Sequence, residues 1–400
     1  MDQARLALII TLAIQSLAAW GMMAGPVLAP LAAKDIGVEP YLVGVYVSVA
    51  YAAAACAGLA SGSFIARFGP LRLSQGCLAL VGAALLLAVL GTPLALLVAA
   101  VVVGIGYGPI TPASSQLLAR TTPPARLNLV FSLKQTGVPI GNSLAGAILP
   151  SLGLVIGWRG AALVTAVLCF AVTAAAEPLR RPLDVDLDRE RPLFSLGQLA
   201  GPLRLVLASP ELRRLALTSF AYAGMQTSLT TFLVIFLNGP VGLSVVAAGV
   251  ALAAAQGAGV LGRIFWGHIA DRFIPPMRLL GLLGLTMSVC SVLVGSFAAG
   301  WPFAAILAVC CAFGGTATAW NGVQLAQVAK HAPKGRAGEV TGGSSFVTFL
   351  GVVVVPAVFS ALLGSFGSYR IGYTAVAVLT LLSGISYLAG KGLPRRGRDR

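Results

Sequence analysis

The chain consists of long apolar runs separated by short polar connections. A helix that crosses a membrane needs about 20 apolar residues, and twelve runs approach or exceed that length without the alternation typical of barrel strands. We therefore predict an all-α membrane protein with twelve transmembrane helices. The predicted spans, numbered in chain order, are 6–28, 43–65, 74–93, 95–118, 128–150, 160–176, 215–237, 244–266, 279–298, 301–325, 341–364 and 371–390.

Composition supports a membrane protein and excludes several other classes. Of the 400 residues, 58% are hydrophobic and only 10% are charged, against about 25% charged in a soluble domain. Such a chain is too apolar to be disordered. The six cysteines lie in apolar runs without metal-ligand spacing, and neither a nucleotide-binding motif nor a catalytic triad is recognisable. We expect no metal, no cofactor and no enzymatic activity.

Basic residues are concentrated on one side of the predicted membrane. With a cytoplasmic N-terminus, Lys34, Arg159 and Arg370 face the opposite side, Lys134 and Arg263 lie inside spans, and every other one of the 27 Lys and Arg residues is cytoplasmic. The positive-inside rule then places both termini in the cytoplasm. The net charge of +15 therefore reflects topology and not nucleic-acid binding, and we expect a multi-pass protein of the bacterial inner (plasma) membrane in contact with lipid.

A polar segment divides the spans into two groups of six. Residues 177–214 contain acidic residues, arginines and prolines, with an amphipathic stretch near 195–208. We interpret them as a cytoplasmic linker between an N-terminal six-helix bundle at 1–176 and a C-terminal six-helix bundle at 215–390. A basic cytoplasmic tail follows at 391–400.

The two halves repeat each other. The run Gly62–Phe68 closes span 2 and resembles Gly267–Phe273, which closes span 8; Arg159 precedes span 6 as Arg370 precedes span 12. The separation is nearly constant, at about 205 to 211 residues. Two pseudo-symmetric six-helix halves are typical of transporters that rock about a central site.

The segment that follows span 2 resembles a motif of the major facilitator superfamily, Gly-x-x-x-Asp-Arg-x-Gly-x-x-Arg. It is present here as Gly62, Arg67, Gly69 and Arg72, with Ala66 where the family has Asp. Ala66 removes the carboxylate of the charge clasp that the family has at this place. The resemblance covers essentially the whole chain and implies that spans 1, 4, 7 and 10 line a cavity, with spans 5 and 8 at the boundary between halves.

A second, less complete copy of the motif follows span 8. Gly267, Asp271 and Arg272 match, prolines replace the second glycine, and Arg278 comes one residue late. The alternative for these arginines is that they only anchor topology. The resemblance implies a gating or conformational role for Gly62, Arg67, Arg72, Gly267, Asp271, Arg272 and Arg278.

Two basic residues are predicted to lie deep in the membrane. Lys134 is about 12 Å beyond Arg126 and Arg263 about 14 Å from Arg272, at about 1.5 Å per helical residue. None of the twelve Asp and Glu residues falls inside a predicted span, and a buried charge needs a counter-ion, water or carbonyl oxygens. We therefore expect Lys134 and Arg263 to bind an anionic substrate; the alternative is that they snorkel to the interface.

The position of Arg263, four residues before Gly267, resembles that of the arginine that binds substrate carboxylate in monocarboxylate and oxalate carriers of the superfamily. Polar and aromatic residues of spans 1, 4, 7 and 10 are further candidates for the site, although such a residue alone more often makes an interhelical hydrogen bond than a ligand contact, and the Tyr and Trp spacing also fits core packing. They are Gln15, Trp20, Tyr107, Tyr222, Gln226 and Asn321.

These features together predict a secondary transporter, a monomer, that moves a small organic anion by alternating access. The anion is expected to be a carboxylate, carried by proton-coupled symport or by exchange. The alternative is an efflux pump for drugs or neutral metabolites. A membrane-embedded sensor or enzyme would need a soluble domain or a catalytic constellation, and neither is recognisable.

Overall fold

The computed structural model describes residues 3–37, 43–185, 187–193 and 196–388, and it contains helices and no strands in that part. The predicted basic tail at 391–400 lies outside the described residues. The α-helices are α1 (Gln3–Ile36), α2 (Val43–Phe68), α3 (Pro70–Ala88), α4 (Pro93–Tyr107), α5 (Ile110–Thr121), α6 (Leu127–Gln135), α7 (Gly137–Ala175), α8 (Glu177–Leu183), α9 (Leu196–Ala208), α10 (Pro210–Asn238), α11 (Val245–Arg272), α12 (Pro276–Gly295), α13 (Phe303–Ala317), α14 (Asn321–His331), α15 (Ala337–Phe366) and α16 (Tyr369–Leu388).

Eleven helical stretches of the described chain are long and apolar enough to cross a membrane. One of them, Pro124–Ala175, has 52 residues and would measure about 78 Å at 1.5 Å per residue, more than twice a hydrocarbon core of about 30 Å. Gly157, with φ 78° and ψ 158°, interrupts it. The stretch therefore contributes two spans, and the predicted twelve-helix architecture is confirmed.

Glycines with positive φ close corresponding turns of the two halves. Gly37 (φ 74°) follows span 1 and Gly242 (φ 79°) follows span 7, while Gly157 (φ 78°) separates spans 5 and 6 and Gly367 (φ 63°) separates spans 11 and 12. This backbone region is strained for residues with a Cβ and accessible to glycine. The repeat that the sequence predicts is therefore also present in the backbone.

Spans 4 and 10 are each broken at matching places. In span 4, α4 ends at Tyr107 and α5 begins at Ile110; in span 10, α13 ends at Ala317 and α14 begins at Asn321. A break leaves backbone carbonyls without their intrahelical partners, so other groups must satisfy them inside a membrane. The two breaks are thus positions where side chains and backbone can meet in polar contacts.

Small residues allow the broken spans to pack closely on their neighbours. A Cβ at Gly104 would overlap the Ala50 carbonyl oxygen of α2, and a Cβ at Gly314 would overlap the Ala255 carbonyl oxygen of α11. Close backbone contact at small residues is the usual way in which membrane helices associate. The same contact therefore occurs once in each half.

The chain forms two compact units that do not separate at the linker. The first consists of Met1–Ser219 with Asn321–Leu350, and the second of Phe220–Trp320 with Gly351–Arg400. In the first unit, α14 lies against α6: Gln327 Nε2 donates to Asn128 Oδ1 at 2.9 Å. Because of such contacts, α14 and the first part of α15 join the N-terminal spans, and the predicted division at residues 177–214 stays a prediction.

Candidate functional site

Lys134 lies in the last turn of α6, in the first unit, and is 2% exposed. Its Nζ donates to Gln15 Oε1 at 2.7 Å, to Gln135 Oε1 at 3.0 Å and, more weakly, to Thr111 Oγ1 at 3.5 Å. All three acceptors are neutral. The ammonium group is therefore solvated by protein oxygens, with no carboxylate bonded to it in the described part of the chain.

The ends of broken helices bring these side chains together. Lys134 and Gln135 are the last residues of α6, and α7 begins at Gly137 after a single intervening residue. Thr111 lies in the first turn of α5, next to the break in span 4. A Cβ at Gly137 would lie 3.2 Å from Gln15 Cβ. The absence of a side chain there allows α1 to approach the α6–α7 junction.

Gln15 is fully buried, and the two ends of its carboxamide meet different surroundings. Oε1 accepts hydrogen bonds from Lys134 Nζ at 2.7 Å and from Thr111 Oγ1 at 3.2 Å. Nε2 is buried and has no hydrogen-bond partner among the described residues. An amide donor beside an ammonium group is thus available to an acceptor.

Arg263 lies on α11 in the second unit and is 3% exposed. Its Nε donates to the Thr318 carbonyl oxygen at 2.7 Å, and Thr318 caps α13 at the break in span 10. The neighbouring Trp266 Nε1 donates to the Gly315 carbonyl oxygen at 2.8 Å. Arg263 therefore stabilises the C-terminal end of α13, where the helix dipole favours a cation, although a carbonyl group does not neutralise the charge.

Tyr222 also lies in the second unit, where its hydroxyl bonds to the main chain. It is fully buried, and its hydroxyl donates to the Leu280 carbonyl oxygen at 2.6 Å. Its ring meets the Trp320 ring edge to face, with centroids 5.7 Å apart. These contacts account for Tyr222 as a residue that joins α10 to α12, and its predicted contact with substrate remains a prediction.

The remaining predicted lining residues are half-buried: Trp20, Tyr107, Gln226 and Asn321. The Nε1 of Trp20 is buried and lacks a hydrogen-bond partner within the described residues. Among the predicted residues, the structure thus joins Lys134 and Gln15 by a direct hydrogen bond. Thr111 and Gln135 complete that cluster.

An apolar cavity of about 270 Å³ lies elsewhere in the first unit. It is bordered by residues of α1, α2, α3 and α4, with Trp158 and Ala162 of α7. Neither Lys134 nor any other predicted substrate-binding residue lines this cavity. The cavity and the Lys134 cluster are therefore separate features.

The first motif copy contacts the linker. Arg67 Nη1 donates to the Arg191 carbonyl oxygen at 3.3 Å, and Arg72 Nη1 lies 3.0 Å from Glu177 Oε2. Gly69 has φ 94°. We call this end of the first unit, where residues 177–185 and 187–193 meet α2 and α3, the linker side.

Asp184 of the linker caps the N-terminus of α3. Its Oδ1 accepts from the Leu71 backbone N–H at 2.8 Å and its Oδ2 from the Arg72 backbone N–H at 2.9 Å. Burial raises the pKa of Asp184, while these two hydrogen bonds act in the opposite direction. A carboxylate is favourable at this helix end because of the dipole.

Glu177, the first residue of α8, accepts hydrogen bonds from three side chains. Gln75 Nε2 donates at 3.1 Å, and Arg180 Nε and Arg72 Nη1 each donate at 3.0 Å. The hydrogen bond from Gln75 is the main cause of a lowered Glu177 pKa, with the two arginines acting in the same direction. The linker carboxylates Asp184 and Glu177 thus both contact the first motif copy: Asp184 accepts from the backbone at Arg72, and Glu177 accepts from the Arg72 side chain.

Glu339 is the most buried carboxylate with ion pairs in the described residues, and its side chain is 10% exposed. Arg336 donates to it through Nε at 2.8 Å and through Nη2 at 2.7 Å, and Arg191 Nη2 lies 3.4 Å away. The carboxylate raises the pKa of Arg336. A Cβ at Gly62 would lie 2.9 Å from Glu339 Cγ, so the motif glycine makes room for this side chain.

Neither Glu339 nor Asp184 is among the site residues predicted from the sequence. The one available signal for Glu339 was its spacing from Arg336, which is that of a helical i, i+3 ion pair. For Asp184 the sequence carries no comparable signal, because the capped helix is more than a hundred residues away.

The second motif copy lies where α11 ends and α12 begins, in the second unit. Gly267 is buried, Asp271 is half-buried, and Arg272 and Arg278 are exposed. The exposed arginines agree with a position at a membrane surface. Their gating role remains a prediction.

The model of the Major Facilitator Superfamily matches residues 8–356. The chain belongs to the major facilitator superfamily. It is therefore a membrane transporter and not an enzyme, as predicted. No curated protein matches the sequence.

Several solved structures share the fold of the transporter at low sequence identity. The human organic anion transporter MFSD10 (TETRAN) has a TM-score of 0.75 and 18% identity, with 97% of this chain and 100% of that chain covered. The fucose:proton symporter FucP of E. coli has a TM-score of 0.76 and 14% identity, with 98% and 100% covered. A bacterial homologue of the iron transporter ferroportin, in an outward-facing state, has a TM-score of 0.71 and 16% identity, with 96% and 99% covered.

These similarities establish the fold of the transporter, and they do not select its substrate. The three structures are those of an organic anion transporter, a fucose:proton symporter and a homologue of an iron transporter. The predicted fold class and family are confirmed. Evidence on the substrate class comes instead from the polar residues of this chain.

Proposed function

We propose that the transporter carries a small organic anion with a carboxylate group by alternating access, and that Lys134 is the principal cation for it. The observation that supports this proposal is the environment of Lys134: a side chain 2% exposed whose hydrogen bonds all go to neutral oxygens. Neutral oxygens solvate the ammonium group and leave its charge in place.

The cost of an uncompensated charge favours an anionic substrate. Taking an ion out of water costs several kcal/mol, and an opposite charge nearby offsets part of that cost. No Asp or Glu occurs in the predicted spans. An anion that reaches Lys134 would neutralise the charge, whereas a neutral sugar or a cation would not.

Arg263 is the second cation of the proposal. Its guanidinium has five N–H donors in a planar fork that suits carboxylates, and Nε is already bonded to the Thr318 carbonyl. The two roles are compatible, because stabilising the broken span through Nε leaves the positive charge of the guanidinium in place. The contribution of Arg263 to anion uptake is therefore tested separately from that of Lys134.

Orientation and coupling complete the proposal. The distribution of Lys and Arg along the chain favours a linker side that faces the cytoplasm of a bacterium, with both termini on that side. Since the predicted spans lack carboxylates, we propose that a proton moves together with the substrate acid, or that one anion is exchanged for another. The transporter acts as a monomer in this scheme.

The test begins with a panel of small acids and the purified protein. Acetate, lactate, pyruvate, benzoate and salicylate are each tested for a rise in melting temperature, and the acid with the largest effect becomes the probe acid for uptake into proteoliposomes. We expect Lys134→Met, which keeps the side-chain length and removes the charge, to reduce uptake of the probe acid at least about a hundredfold, as loss of a buried ionic contact of about 3 kcal/mol would.

Two further variants complete this experiment. Arg263→Met is expected to reduce uptake in the same assay, whereas Lys330→Met, which removes an exposed lysine of α14, serves as the control and should retain wild-type uptake. Wild-type uptake by both Lys134→Met and Arg263→Met would refute the proposal. Drug efflux would take its place if cells that express the protein also became resistant to a neutral or cationic compound.

A further inference from the structure

The oxygen of the Gln15 carboxamide accepts two hydrogen bonds, whereas its nitrogen makes none within the described residues. Oε1 accepts from both Lys134 Nζ and Thr111 Oγ1, whereas Nε2 has no acceptor in the described part of the molecule. The side chain is 0% exposed. Buried donors in native proteins nearly always have partners, so an unmet one beside a charged group indicates a place for an acceptor.

The orientation of this amide follows from the charge of Lys134. If the amide were rotated by half a turn, its N–H groups would face the N–H groups of the ammonium, which has three donors and no acceptor. The 2.7 Å contact from Nζ to Oε1 therefore fixes Nε2 as the unmet atom. Because Oε1 and Nε2 are bonded to the same carbon, Nε2 is also close to Nζ.

Packing of α1 on α7 restricts movement of Gln15 away from Lys134. A Cβ at Gly137 would lie 3.2 Å from Gln15 Cβ and 3.1 Å from the Leu12 carbonyl oxygen. A Cβ at Gly141 would overlap the Ser16 carbonyl oxygen. The backbone on both sides of Gln15 is thus held against α7, which restricts withdrawal of the Gln15 side chain from the end of α6.

We infer that Lys134 and Gln15 together bind a single carboxylate group of the substrate, with one oxygen at Lys134 Nζ and the other at Gln15 Nε2. This inference rests on the proposed function, to which it adds the mode of contact with the carboxylate. A carboxylate has two acceptor oxygens on one carbon, as the cluster has two neighbouring donors. Its single negative charge equals the single positive charge of the cluster, whereas a phosphate dianion would exceed it.

Gln15 is therefore a specificity-determining residue, which distinguishes planar carboxylates from other small anions. A sulfonate has the same charge but places three oxygens on a tetrahedral centre, and an amide of the same shape has no charge. Each acid of the panel is accordingly compared with its sulfonate and its primary amide, for example benzoate with benzenesulfonate and benzamide.

Two substitutions at Gln15 test the inference. Gln15→Glu provides Lys134 with a permanent carboxylate, so we expect the melting temperature to be kept or raised and the effect of the probe acid to disappear. Gln15→Leu keeps the charge of Lys134 and removes the amide. We expect it to weaken carboxylate binding roughly tenfold or more, as loss of a hydrogen bond to a charged group does, and to reduce the preference for benzoate over benzenesulfonate.

Gln324→Leu is the matched control, because it removes another buried amide of the first unit, which donates to Ser344 Oγ at 3.1 Å. It should lower the melting temperature without changing the dissociation constant of the probe acid. Full carboxylate binding by Gln15→Glu, or equal binding of carboxylates and sulfonates by the wild type, would overturn the inference. Loss of binding in Lys134→Met would in either case leave the proposed function intact, whereas a wild type that no acid stabilises would overturn both.

Discussion

At the scale of single residues, the ammonium group of Lys134 and the carboxylate of Glu339 represent two ways of burying a charge. Glu339 is paired with Arg336 and Arg191, so its charge is compensated inside the protein. Lys134 is surrounded by amide and hydroxyl oxygens, so its charge is solvated and not compensated. The first arrangement stabilises a contact, and the second is the one on which the proposed binding of an anion rests.

The linker carboxylate Glu177 gives a pH-dependent prediction at this scale. Its pKa in the folded protein is below the ordinary value of 4.5, chiefly because Gln75 donates a hydrogen bond to it. Glu177 therefore contributes stability above pH 4.5, and this contribution is lost as the pH falls through its lowered folded pKa. We expect Glu177→Gln to lose less stability than the wild type when the pH is lowered from about 6 to about 3.5, measured as melting temperature.

The control for this experiment is Glu190→Gln. Glu190 is exposed in the linker and has no ion pair among the described residues. Its substitution should reproduce the acid response of the wild type. Identical acid responses of Glu177→Gln and the wild type would contradict the argument from hydrogen bonding.

At the scale of helices, the surroundings of Lys134 and Arg263 depend on where spans are broken and on how closely they pack. The breaks after Tyr107 and Ala317 create the ends at which Thr111 and Thr318 contact Lys134 and Arg263. Breaks in membrane helices are tolerated when neighbouring groups satisfy the freed backbone. The two buried cations are thus associated with two equivalent breaks of the repeat.

The crossing of α1 and α7 gives a prediction for this scale. A Cβ at Gly141 would overlap the Ser16 carbonyl oxygen and lie 2.9 Å from Ala19 Cβ. We expect Gly141→Ala to reduce the free energy of unfolding by about 1–3 kcal/mol, as overpacking does, and to lower the melting temperature in detergent.

Gly146→Ala on the same helix is the matched control. A Cβ there would have nothing within 4 Å, so the substitution should be neutral or add up to about 1 kcal/mol through helix propensity. If the two alanine variants melted at the same temperature, close packing at Gly141 would not be the determinant of this crossing.

At the scale of the whole molecule, the contacts of α14 with α6 have consequences for transport. Gln327 bonds to Asn128, and a Cβ at Gly322 would overlap Ser132. Gln327 and Gly322 come from span 10 and Asn128 and Ser132 from span 5, so the contacts join different halves of the sequence repeat. In the proposed alternating access the two repeats move against each other, so we expect these contacts to separate during the transport cycle.

A cross-link between α6 and α14 tests this requirement. In a variant whose native cysteines are replaced, we expect Asn128→Cys with Gln327→Cys, joined by a short bifunctional thiol reagent, to lose most uptake of the probe acid and to regain it on reduction. The control pair, Gln75→Cys with Thr173→Cys, joins α3 to α7 at a 2.9 Å contact within the N-terminal spans. Full uptake with the first pair cross-linked would mean that α6 and α14 need not separate.

Several features follow from the sequence because they depend on local composition. The number of spans reflects the partition of each apolar run between water and lipid, which needs no knowledge of its neighbours. The repeat and the motif around Gly62 are recognisable as strings of residues. The burial of Lys134 and Arg263 follows from their distance along a helix from the nearest polar loop.

The partners of those residues were decided only by the tertiary structure. Gln15 is 119 positions from Lys134, and Thr318 is 55 positions from Arg263, so each pair meets only after separate helices have packed. The pattern of apolar and polar residues along the chain indicates whether a segment prefers lipid or water. Which oxygen faces an ammonium group, and which amide hydrogen is left without an acceptor, depends on helix breaks and on the close approach of backbones at glycines such as Gly137.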